Sequence, residues 1–314
     1  MSKVTDKNRW FYDNCVAEMI HRRFPEYEDR IAVGIVGEGS DCFGYDDEIS
    51  RDHDFGTGVC LWLADEDMAR FGNLLSIAYN ELVDSAERSY FTERLRERRG
   101  VMTIRRFYSN ILNVECDAEK CFMTEEQWRR LDHSCLKTAT NGEVFRDDPG
   151  VFTAFRQYLK GYYPDRVWRM RIAEKLHEYA SAFQINYARC MTRGDTVAAE
   201  LCRAMGLNSA MELFFLLKRE YPPYYKWTFR ALSELDEEGS FKEKVRELSK
   251  EPLRLEAWEG TRYLPNRLNY KDRIVSLSEE IASEIEEMLA EKGLILVRGR
   301  YLEAHVEAVL KCIK

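Results

Sequence analysis

Apolar and polar positions along the chain follow two different periods. Near the N-terminus, Trp10, Cys15, Val16, Met19 and Ile20 recur at helical spacing until Phe24-Pro25, which predicts a helix over 5–24. A continuous apolar run, Ile31 to Val36, then reads as a strand, and Val59 to Leu63 as the end of a second strand spanning 52–63. Met68, Phe71, Leu74, Leu75, Ala78 and Leu82 form a helical stripe over 65–85. Val101 to Ile104 reads as a short strand, Phe107 to Leu112 as a helix, and 141–146 as a turn and strand stopped by Asp147-Asp148-Pro149-Gly150.

After about residue 150 only the helical period remains. Trp168, Ile172, Leu176, Tyr179 and Phe183 make one stripe. Val197, Leu201 and Met205, then Leu213, Phe214 and Leu217, predict a second helix interrupted at Gly206 and terminated by Pro222-Pro223. Leu277, Ile281, Ile285, Met288 and Leu289 predict another, with Ser276 and Glu279 as a capping box and Gly293 as its stop. Leu302 to Ile313 closes the series. The expected architecture is α+β: a mixed-sheet domain over 1–145 with flanking helices, and an all-α bundle over 146–314 forming the other wall of a cleft.

Composition narrows the class. The 314 residues are 45% hydrophobic and 32% charged, with a net charge of −8. No apolar run has the length of a membrane span, and MSKVTDKNRW lacks a secretory apolar core. Nine cysteines at irregular spacing, with no CxxC, suit a reducing cytoplasm. Cys116, Cys121 and His133 do not make a zinc set, because no fourth ligand accompanies them. The arginine run Arg94, Arg96, Arg98, Arg99 is interleaved by Glu93 and Glu97 and reads as a solvated helix face. With the acidic balance, this argues against a nucleic-acid partner.

The segment GEGSDCFGYDDEISRDHDFG, residues 37–56, carries candidate chemistry. A strand leads into Gly39-Ser40, whose N–H groups and hydroxyl suit phosphate oxygens. Twelve residues after Ser40 comes Asp52-His53-Asp54; in a strand the two carboxylates share a face. Such a pair repels unless a cation lies between, and carboxylate oxygens suit hard Mg²⁺ or Mn²⁺. Asp52 and Asp54 are therefore the metal-binding and catalytic candidates, and Gly39 and Ser40 hold the triphosphate. His53 points to the opposite face. Lys226, in PPYYKW, is the candidate further phosphate ligand, against the alternative of a surface lysine shielding Trp227; Arg189, Arg193 and Lys160 are its substitutes.

This order of parts resembles the signature of the polymerase-beta-like nucleotidyltransferase superfamily, with Gly39, Ser40, Asp52 and Asp54 matching position by position. GYYPDRVWRMRIAEKL, LKREYPPYYKW and ATNGEVFRDDPG resemble an uncharacterised bacterial family that pairs such a domain with helices, an architecture similar to kanamycin-type aminoglycoside nucleotidyltransferases. The resemblance implies transfer of a nucleoside monophosphate from an NTP, ATP foremost, to a hydroxyl of a small molecule or protein. One departure stands out: the family's third carboxylate is missing from the strand where Met102 sits, with Glu115 and Glu143 the nearest acids. A catalytically reduced nucleotide-binding or regulatory protein is the alternative reading. An antitoxin-like partner is a third, which the length and attached helices disfavour.

Overall fold

The computed structural model describes residues 3–45, 47, 58–86, 98–265 and 267–311. Asp52, His53, Asp54, Arg94 and Arg96 lie outside the described residues. The chain divides into two compact units, Met1–Tyr162 and Tyr163–Lys314.

In the first unit four strands, β1 (Ala32–Ile35), β2 (Cys60–Leu63), β3 (Gly100–Thr103) and β4 (Glu143–Arg146), form one mixed sheet in the order β3-β2-β1-β4. β1 pairs antiparallel with β2 and β4, and β2 pairs parallel with β3. Helices cover both faces, so β1 and β2 are buried along their whole length and show no alternation in sequence. Val33, Leu61 and Leu63 pack with Phe11, Val16 and Ile20 of α1 (residues 3–23) and with Phe71 and Leu75 of α2 (residues 65–86). On the other face Trp62 stacks on Phe152, ring centroids 3.8 Å apart, and meets Phe107 edge-on at 5.2 Å. Trp10 and Leu74, expected in the core stripes, are exposed. As described, β2 begins at Cys60, and Gly58 and Val59 precede it outside the strand.

Phe107 lies on α3 (Ile104–Leu112) and Phe152 on α4 (Val151–Lys160). Phe152, Phe155 and Leu159 are fully buried, and Tyr108 Oη donates to Phe152 O at 3.2 Å. The aromatic layer under the sheet thus binds α4 to the first unit, and the division between the two compact units falls at 162/163.

The second unit is helical. α5 (residues 165–192, with a π-turn at Ala180–Tyr187) packs on α6 (Thr196–Lys218); α7 (Tyr225–Leu235), α8 (Phe241–Lys250), α9 (Arg273–Glu291) and α10 (Val306–Lys311) follow. Trp168, Ile172, Leu176 and Tyr179 of α5, Leu213, Phe214 and Leu217 of α6, and Leu277, Ile281 and Ile285 of α9 are buried.

Four local expectations are corrected. Gly206 does not interrupt α6; a Cβ there would lie 2.3 Å from the Phe183 ring, so the glycine lets α6 and α5 approach closely. The inward side of this half of α6 consists of small residues, Ala199, Gly206, Ser209 and Ala210, which leaves Val197, Leu201 and Met205 exposed. The helix ends at Arg219 in the left-handed region (φ 55°), before the prolines. At α9 the cap is Asp272, not Ser276: Asp272 Oδ1 accepts from Ile274 N at 2.9 Å, while Oδ2 accepts from Tyr187 Oη and Trp258 Nε1. The Gly293 stop is present in a left-handed conformation (φ 67°).

Candidate functional site

β1 runs out into Gly37 and Gly39, both at positive φ (120° and 118°), a backbone that glycine adopts without the steric penalty of a Cβ. Ser40 then opens a single helical turn, Ser40–Phe43. Among the described residues the N–H groups of Gly39, Ser40 and Asp41 have no acceptor. Backbone donors without internal partners are what an oxyanion can bind.

The turn is held from below by residues distant in sequence. Asn141 forms two bonds with one residue: its Oδ1 accepts from Gly37 N at 2.9 Å, and its Nδ2 donates to Gly37 O at 2.7 Å. Gly142 N donates to Cys42 O at 2.9 Å. A Cβ at Gly142 would lie 1.9 Å from Ile35 O, so no other residue fits this approach. Arg156 Nη2 donates to the carbonyls of Thr140, Asn141 and Gly142 at 2.7–2.9 Å, and burial lowers its pKa.

A second clamp is ionic. Arg99, immediately before β3, is 4% exposed, and its Nη2 pairs with Asp41 Oδ2 at 3.0 Å. The same nitrogen lies 3.3 Å from Cys42 Sγ, and Asp41 Oδ1 accepts from Cys42 N at 2.9 Å. Burial pushes the Cys42 and Cys60 thiols up, so both are neutral packing groups rather than nucleophiles. Arg98 pairs with Glu38 Oε2 at 2.7 Å, which sets a guanidinium beside the turn. Arg98 and Arg99 are thus not part of a solvated face; Arg105 and Arg106 are exposed.

Gly39 and Ser40 sit in this clamped turn. Asp52 and Asp54 lie outside the described residues, and no group of three or more potential metal ligands occurs among the described residues. Cys116 and Cys121 bond instead to Ser109 and to Ala118 O. Lys226 is exposed on the first turn of α7 in the second unit. Trp227 Nε1 donates to Tyr224 Oη at 2.8 Å. Of its substitutes, Lys160 belongs to the first unit, and Arg189 and Arg193 belong to the second. β3 reads Gly-Val-Met-Thr and carries no carboxylate. Glu143, on β4, pairs with Arg9, and Glu115 lines a separate cavity with Arg105 and Lys120.

Asn141, Gly142, Arg156 and the Arg99–Asp41 pair were not assigned a role by sequence reasoning. The only local trace of the first two is the Asn-Gly turn within ATNGEVFRDDPG.

No helix among the described residues is long and apolar enough to cross a membrane. A family model described as "Domain of unknown function (DUF4037)" matches residues 128–228, which takes in the Asn141 clamp and α5 but not the glycine turn. No curated protein matches. Among solved structures the chain is similar to a nucleotidyltransferase-like protein from Exiguobacterium sibiricum 255-15, at 13% identity and a TM-score of 0.37, with 94% of this chain and 80% of that chain covered.

Proposed function

We propose that the protein is a metal-dependent nucleotidyltransferase that moves a nucleoside monophosphate from an NTP, ATP foremost, to a hydroxyl of a small molecule or protein. The observation that carries this reading is the turn at the end of β1. Among the described residues its N–H groups at Gly39, Ser40 and Asp41 have no acceptor, and its position is fixed by Asn141 and Arg99. A turn held this way can bind phosphate oxygens without first being ordered, which lowers the entropic cost of positioning the triphosphate. Ser40 and these N–H groups take the β- and γ-phosphates, and Arg98 adds a cation held at Glu38.

Asp52 and Asp54 supply the hard carboxylate oxygens that suit Mg²⁺ or Mn²⁺. Such an ion, when bound, neutralises charge on the phosphoryl oxygens. The acceptor hydroxyl oxygen bonds to the α-phosphorus and gives up its proton to solvent as the bridge to the β-phosphate breaks, and pyrophosphate leaves. Lys226 is the proposed further phosphate ligand.

One observation favours a second reading, a nucleotide-binding protein without turnover: β3 has no carboxylate, and Glu143 is already paired. Incubation with Mg²⁺, α-labelled ATP and fractionated cell extract separates the two. Transfer predicts pyrophosphate release and a labelled product, both lost in Asp52→Asn/Asp54→Asn. Asn141→Ala should keep the fold and lower turnover by about tenfold or more, because the turn is no longer fixed. Saturable ATP binding with no pyrophosphate in any fraction would favour the second reading. Unchanged Mg·ATP affinity in the double Asn variant would overturn the site itself.

A further inference from the structure

The helical unit contains a cavity of about 540 Å³ that the proposed transfer does not use. That volume lies in the range of small-molecule sites, about 300–1,000 Å³. Tyr263, Tyr270 and Tyr301 line it, with Glu279, Arg189 and Arg300 as its charged groups.

Glu279, on α9, is 3% exposed yet faces the cavity. Gln184 Nε2 donates to its Oε1 at 2.8 Å. Among the described residues its other oxygen has no hydrogen-bond partner and is not fully shut off from solvent, so it is open to a donor that enters the cavity. Gln184 cannot turn away, because its Nε2 also donates to Arg300 O at 2.7 Å and its Oε1 accepts from Leu302 N at 3.0 Å. The carboxylate is therefore presented rigidly to whatever enters. Burial raises its pKa and the charge of Arg300 opposes that rise.

The remaining lining sets the rest of the ligand. Two guanidinium groups against one carboxylate leave the cavity net positive, which disfavours a simple amine and favours a ligand with an anionic group. The Arg189 guanidinium lies 5.2 Å from the Tyr263 ring centroid, over its face. Tyr270 and Tyr301 keep 58% and 42% of their surface exposed, so their rings are available to a flat partner. A ligand that satisfies all three features has N–H donors at one end, a planar ring, and an anion at the other.

We propose that this cavity binds a purine nucleoside monophosphate, with the base among the tyrosines, its N–H groups on Glu279, and its phosphate on Arg189 and Arg300. The inference uses residues 184–301 only and does not rest on the triphosphate reading of the glycine turn.

The test is calorimetric titration of the full chain carrying Asp52→Asn/Asp54→Asn, without divalent cations, using GMP, AMP and their nucleosides. Disabling the other candidate site keeps the two readings separate. At least one monophosphate should bind saturably, and its nucleoside should bind about tenfold or more weakly, as expected for loss of charge-assisted phosphate contacts. Arg189→Gln/Arg300→Gln should bring the monophosphate down to the nucleoside's affinity. Both arginines are exposed, and an unchanged circular dichroism spectrum would confirm the fold. Absence of saturable binding at millimolar GMP and AMP, or binding undiminished in the double Gln variant, would overturn the proposal.

Discussion

The end of β1 and the α5–α6 contact hold their backbones in opposite ways. The strand end stops pairing and must leave N–H groups available, so its position depends on polar groups from elsewhere in the chain: the buried Asn141 amide, the half-buried Arg156 and the buried Arg99–Asp41 pair. The helices satisfy their own backbone, and their contact needs only close packing, with Gly206 against Phe183 and Ala199 and Ala210 fully buried. The difference teaches where each unit is vulnerable. One is sensitive to the loss of a charge or an amide; the other is sensitive to added volume.

The sharpest way to break this comparison is Arg99→Ala. It would leave the Asp41 carboxylate, 9% exposed, without its cation. Removing one member of a buried pair costs about 3–5 kcal/mol, to be read from urea unfolding. A loss below about 1 kcal/mol would mean that water or a nearby group replaces the guanidinium, and that the clamp is not ionic in effect.

A smaller effect is expected in the helical unit. Gly206→Ala places a methyl group into the Phe183 ring, and overpacking of this kind costs about 1–3 kcal/mol. Combining it with Phe183→Leu should recover part of the loss, since the two changes share one space. Additive losses would show that Gly206 matters for another reason.

The smallest effect concerns pH and has opposite signs in the two units. In the first, hydrogen bonds from Arg146 and then His21 lower the Glu28 pKa. Its contribution is present above the unfolded carboxylate value, about 4.3, and is lost as pH falls through the lower folded value. In the second, burial raises the Glu279 pKa. Its contribution is present below about 4.3 and is lost as pH rises through the higher folded value. The wild-type minus Glu28→Gln difference in stability should thus shrink toward acid, and the difference from Glu279→Gln should shrink in the other direction. Two differences of the same sign would contradict the assigned causes.

Much of this was legible in the residues. The strand cores, the aromatic stripe Trp168 to Tyr179 and the Gly293 stop depend on local spacing, and each is where that spacing puts it. The stripe Val197, Leu201 and Met205 misled because periodicity finds a face without saying which side packs; the small residues opposite it take that role. The Ser276 cap misled similarly, because Asp272 gains its place from Tyr187 and Trp258, far away in sequence.

By itself, the sequence determined the order of strands and helices, the glycine turn with its serine, and the absence of carboxylate from the third strand, since all of these follow from residue identity and short-range geometry. Only the tertiary structure decided what holds the turn, where the first unit ends, and that Glu279 faces a cavity lined by tyrosines. Those outcomes depend on pairs such as Gly37–Asn141 and Asp41–Arg99, whose partners meet only after the sheet has closed. Nothing in the local pattern of either partner specifies the other.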